Sequence, residues 1–121
     1  HAMHKNDLRR SAFFLHQAAE SAYKAFLLVH TNYCPYEHFL GLLDKQACEI
    51  LPCLGQVFPR DTQNDAKRFK QFDYAYIGAR YDSEFRVAPE DLQYLSGRVK
   101  YLLQFIEKHC RQKLQSFSMN H

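Results

Sequence analysis

The chain contains no tryptophan, and only four glycines, four prolines and four cysteines among its 121 residues. So few backbone breakers exclude a loop-rich or low-complexity chain. The cysteines Cys34, Cys48, Cys53 and Cys110 form no Cys-x-x-Cys pair and are irregularly spaced, which speaks against a disulfide framework and for free thiols in a reducing cytoplasm. Neither they nor His16, His30 and His38 show paired metal-ligand spacing, so no metal is expected, and no other cofactor. Glycine-rich phosphate loops and nucleophile elbows are absent as well. No apolar run approaches the roughly twenty residues that cross a bilayer, and no secretory signal is visible. The expectation is a soluble, cytoplasmic protein with no membrane partner.

What is present is apolar and aromatic: 46% and 15% of the residues, respectively. That composition suits one ordered globular domain burying roughly two-thirds of its unfolded surface. A net charge of +3 permits contact with nucleic acid without demanding it. The opening His1-Ala2-Met3 reads as a cloning remnant, leaving 4–121 as a single helical domain, expected to be excised from a longer protein.

Hydrophobic periodicity divides the chain into four helices. From about Asp7 to Thr31, Leu8, Ala12, Leu15, Ala19, Ala22, Phe26 and Val29 recur every three or four residues, and Phe14, Ala18, Ala25 and Leu28 widen that face. Arg10, Gln17, Glu20 and Lys24 form the polar side, with Glu20 four residues before Lys24 in the favourable order. Asn32 to Pro35 ends the run. A second helix is expected from near Tyr36, burying Phe39, Leu40, Leu43, Ala47 and Ile50 and stopped or kinked by Pro52. Arg60 to Asp65 reads as a polar loop, and a third helix spans about Ala66 to Arg80 with Phe69, Phe72, Tyr76 and Ala79 on one stripe. Lys67, Arg68 and Lys70 stand at its electrostatically unfavourable end, which suggests either a partner for them or simple solvation. Pro89, Glu90 and Asp91 open a fourth helix that runs to about Gln115, with Leu92, Leu95, Val99, Leu102 and Ile106 inward. An all-α, up-down four-helix bundle follows, with room for a short extra helix.

Several motifs carry more than fold. The first helix reads Gln17-Ala18-Ala19-Glu20-Ser21-Ala22-Tyr23-Lys24-Ala25-Phe26-Leu27. His38 precedes a leucine-rich segment with Leu40, Leu42 and Leu43, and the third helix ends in Arg80-Tyr81. In order and spacing these resemble HEPN domains, helical modules whose first helix reads Q-A-x-E-x-x-x-K-A-x-L. The resemblance covers nearly the whole chain. It implies a bundle that pairs with a second copy and places the arginine of the Arg-Tyr pair near the cleft so formed. Phe13, Tyr33 and Phe117 are candidates for additional apolar surface in such a pair.

RNA-cleaving members of that family carry an arginine followed, after four to six residues, by a histidine; the histidine moves protons and the arginine steadies phosphate, without a metal. Here Arg80 is followed by YDSEFRVAPED, with Arg86 where a histidine would stand. A guanidinium binds phosphate but stays protonated, so it is no general base near neutrality. Arg10 and His16 also have five residues between them, but they lie on the first helix and point in different directions, which reads as coincidence.

The resemblance therefore implies a non-catalytic nucleotide- or RNA-binding and dimerisation module, associated in cis or in trans with a minimal nucleotidyltransferase domain. Arg80, Arg86 and Lys24 are the candidate phosphate contacts, with Tyr81 flanking a base; no catalytic residue is assigned. Each also has a structural reading: Glu20–Lys24 as a surface ion pair, His38 as a stabiliser of the second helix, the tyrosines as the edge of a helical core. Two alternatives stay open: an RNase of toxin or defence type using a displaced His16 or His38, and a helical adaptor with no ligand.

Overall fold

A computed structural model describes residues 5–119; the stretch read as a cloning remnant lies outside the described residues. Four α-helices follow one another: α1 (Lys5–Thr31), α2 (Leu40–Ile50), α3 (Gln63–Tyr81) and α4 (Pro89–Met119), with a short 3-10 helix, Pro52–Gln56, after α2. No strand occurs among the described residues. The all-α four-helix fold and its short extra helix are those the periodicity implied. None of these helices is long and apolar enough to cross a membrane.

Local chemistry sets the helix ends. α1 stops where Asn32 takes a left-handed conformation (φ 58°) and its amide bonds to Leu28 O at 2.9 Å, while Thr31 Oγ1 donates to Leu27 O. α2 begins at Leu40 rather than near Tyr36, because residues 32–39 are non-helical and first bring His38 back beside Glu20. α2 thus starts against the middle of α1. Leu51 and Pro52 close it. α3 begins at Gln63, inside the expected loop, because Thr62 caps it by accepting the Asp65 amide at 3.0 Å.

α1 packs against the other three helices. Its antiparallel course along α3 shows in two contacts: Arg9 reaches the carbonyls of Gly78 and Ala79, and His16 reaches Asp73. The main core gathers Tyr23 and Phe26 of α1, Leu40 and Leu43 of α2, Phe72 of α3, and Leu95, Val99 and Leu102 of α4. Burying each large side chain contributes roughly 1.5–3 kcal/mol. A smaller cluster, Ala12, Ala75, Phe85 and Val87, seals the end where α3 turns into α4.

The buried face of α1 corrects the sequence reading. Phe14 is 62% exposed and Leu28 49%, and Ala25 is exposed too, so of that flank only Ala18 packs against the core; Ile50 of α2 is also exposed. The core face is widened on its other side by His16, Glu20, Tyr23 and Leu27, all buried. Phe13 is half-buried, whereas Tyr33 and Phe117 are exposed.

Candidate functional site

Arg80 lies in the last turn of α3, where a cation suits the helix dipole. Its Nε and an Nη both donate to Tyr76 O, at 2.9 and 2.6 Å. The guanidinium carbon lies 5.0 Å from the ring centre of Phe13, 4.5 Å from that of Tyr76 and 5.0 Å from that of Tyr81. Three rings and a carbonyl therefore hold an exposed cation that has no carboxylate partner among the described residues. Beside it opens a groove of about 350 Å³ lined by Asn6, Arg9, Arg10, Phe13, Ala79 and Arg80.

The two α1 arginines differ in role. Arg9 is committed to the fold: it donates to Phe85 O, Gly78 O and Ala79 O, satisfying carbonyls at the end of α3. Arg10 is exposed, 3.8 Å from the exposed carboxylate of Asp7, a contact weak enough for an anion to compete with. Neither was singled out from the sequence as a site residue, since nothing in a linear reading puts the start of α1 against the end of α3.

On α1, a polar network runs through the same region. Glu20 is buried; its Oε2 accepts from Lys24 Nζ at 2.9 Å and from His38 Nδ1 at 3.1 Å. His16 is fully buried, with Nε2 3.1 Å from Asp73 Oδ1, while its Nδ1 and Glu20 Oε1, 3.9 Å apart, have no hydrogen-bond partner. Because an ionised carboxylate only accepts, Glu20 fixes the proton of His38 on Nδ1 and leaves the Nε2 lone pair of the neutral ring free. The His38 side chain is 34% exposed, and its ring stacks on Tyr76 at 4.7 Å and an interplanar angle of 10°. Tyr76 is thus shared by His38 and Arg80.

The residues selected from sequence divide accordingly. Tyr81 stands beside Arg80. Lys24 is engaged by Glu20 and does not line the groove, and the Glu20–Lys24 pair is not a surface ion pair, because Glu20 is inside. Arg86 lies on the 82–88 connection, bonded to Ser83 O and Phe85 O, and is not among the groove's lining residues. His16 faces the core instead of pairing with Arg10. Among the described residues, no three histidine, cysteine or acidic side chains converge in a way that could hold a metal ion.

No curated protein matches the chain. The family model of the HEPN domain matches residues 1–109, which takes in the Glu20–Lys24 pair, His38 and the Arg80-Tyr81 end of α3. Together with the four-helix architecture, that match places this chain in the HEPN family.

Proposed function

We propose that this HEPN domain is a non-catalytic nucleotide- or RNA-binding module that pairs with a second copy and works beside a minimal nucleotidyltransferase domain. The observation carrying the binding half is Arg80: a guanidinium oriented by Tyr76 O and three rings, open to solvent, with Arg10 across a groove of nucleotide size. A planar fork so held matches a phosphate, and Tyr81 offers a base its exposed face. The absence of a histidine soon after Arg80 supports binding without cleavage. The nucleotidyltransferase and the second copy rest on what HEPN domains lacking the Arg-His motif commonly accompany. Calorimetric titration with ATP and GTP tests the reading: binding that weakens with salt and disappears in Arg80→Ala supports it. Unchanged affinity in that variant, or no heat with any nucleotide, would count against it.

A second reading has one observation in its favour. His38, its proton placed by Glu20 and its ring on the same tyrosine as Arg80, has the form of a general base near a phosphate anchor. In that reading the domain is an RNase with a displaced histidine, and His38→Ala abolishes cleavage of a mixed RNA pool.

A further inference from the structure

The lysines at the start of α3 are not absorbed by the Arg80 site. Lys67 and Lys70 lie in the second turn of α3, the fifth and eighth residues of a helix that starts at Gln63. Their neighbour Arg68 has its partners: Nε donates to Asp91 at 2.9 Å, Asp65 lies 3.5 Å away, and the guanidinium covers the Tyr94 ring at 4.4 Å. Lys67 and Lys70 are exposed and form no ion pair among the described residues.

They also begin a continuous stripe. Lys67, Lys70, Tyr74, Ile77 and Tyr81 follow at spacings of three and four and are all exposed, Tyr81 at 75%. The Gln71 side chain bonds to Arg86 O, so the 82–88 connection lies alongside α3 next to this stripe. Two nearby carboxylates are already engaged: Asp91 by Arg68, and Asp82 by the Tyr74 hydroxyl at 2.8 Å. Glu84 is exposed on the same connection. From Lys67 to Arg80 the helix rises about 20 Å, longer than a single nucleotide.

We infer that the outer face of α3 is a track for single-stranded nucleic acid. Lys67 and Lys70 hold phosphates at one end, Arg80 holds a phosphate at the other, and Tyr74 and Tyr81 give bases a surface between and beyond them. This rests on the phosphate-anchor reading of Arg80 and adds that the ligand is an oligonucleotide. Two lysines followed by two tyrosines along one face, with Arg80 beside Tyr81 at the far end, fit a strand of phosphates and bases, because stacking tolerates any sequence and the lysines track the backbone.

The test compares a labelled oligouridylate of about ten nucleotides with ATP on wild-type protein, on the double variant Lys67→Gln, Lys70→Gln, and on Arg80→Ala, across a salt series. The double variant should bind the oligonucleotide about tenfold more weakly, with a log–log salt slope shallower by about 1.4, the loss of two single-strand phosphate contacts. Its affinity for ATP should equal that of the wild type. If the double variant matches wild type on the oligonucleotide while Arg80→Ala weakens both ligands, the track is wrong and the Arg80 anchor stands. If wild-type protein binds neither ligand, both fall. Polyglutamate bound as tightly as the oligonucleotide, and lost equally in the double variant, would also overturn the strand proposal in favour of an acidic protein.

Discussion

Asp73 caps a helix that begins 33 residues before it: its Oδ1 accepts the Leu40 amide at 2.6 Å and its Oδ2 the Gly41 amide at 3.0 Å. The residue at the N-cap position of α2, Phe39, makes no such bond through its own side chain. The same Oδ1 meets buried His16 Nε2 at 3.1 Å, so one carboxylate joins α1, α2 and α3. Asp73→Ala should therefore destabilise the protein by about 2–4 kcal/mol, combining a lost cap with an unpaired buried imidazole. Asp73→Asn, which keeps an acceptor, should cost roughly half as much. Urea unfolding monitored by circular dichroism compares them.

Glu20 and His38 should behave as a coupled pair, since the 3.1 Å bond ties the returning 32–39 segment to α1. In a double-mutant cycle with Glu20→Gln and His38→Ala, the coupling should be about 0.5–3 kcal/mol. Additive effects would mean that the contact does not hold the segment.

Two glycines give opposite outcomes on alanine substitution. A Cβ at Gly78 would meet the Tyr74 ring at 2.7 Å and the Phe85 ring at 2.8 Å, whereas one at Gly97 meets nothing within 4 Å. Gly78→Ala should cost about 1–3 kcal/mol through overpacking. Gly97→Ala, in the interior of α4, should stabilise by about 0.5–1 kcal/mol. Thermal melts of the two variants read both signs.

Burial, with buried Asp44 next in weight, raises the Cys48 thiol from 9.0 to about 11 and pushes Tyr23, which donates to Asp44 at 2.9 Å, well above its ordinary range. At pH 8 Cys48 should alkylate roughly tenfold or more slowly than exposed Cys34 and Cys53, as mass spectrometry of iodoacetamide-treated protein would show. Because the folded state holds both protons more tightly than the unfolded state, this stabilisation is complete below about pH 9 and declines as pH rises through 11. Unfolding followed between pH 8 and 11 should show falling stability.

The fold was legible because apolar spacing marks helices wherever the core is apolar: Leu95, Val99, Leu102 and Ile106 on α4 sit where periodicity put them. On α1 the same reading erred, since it assigned Phe14 inward and Glu20 outward. Glu20 is inside because Lys24 neutralises it and His38, 18 positions away, hydrogen-bonds it there. Asp73 escaped notice for the same reason, as its acceptors serve backbone amides that no side-chain pattern records. Of the site, Arg80 and Tyr81 were legible as a motif at a helix end. Arg9 and Arg10 were not, because only the antiparallel course of α1 and α3 brings them there. The misplaced cations of α3 resolve in part: Arg68 reaches Asp91 on α4.

The most direct measurement incubates wild-type protein, Arg80→Ala and His38→Ala with a labelled single-stranded RNA and records both anisotropy and strand integrity in the same samples. A phosphate anchor without proton transfer predicts that wild type and His38→Ala bind the RNA and leave it intact, and that Arg80→Ala binds it much more weakly. RNA cut by the wild type and spared by His38→Ala would contradict it.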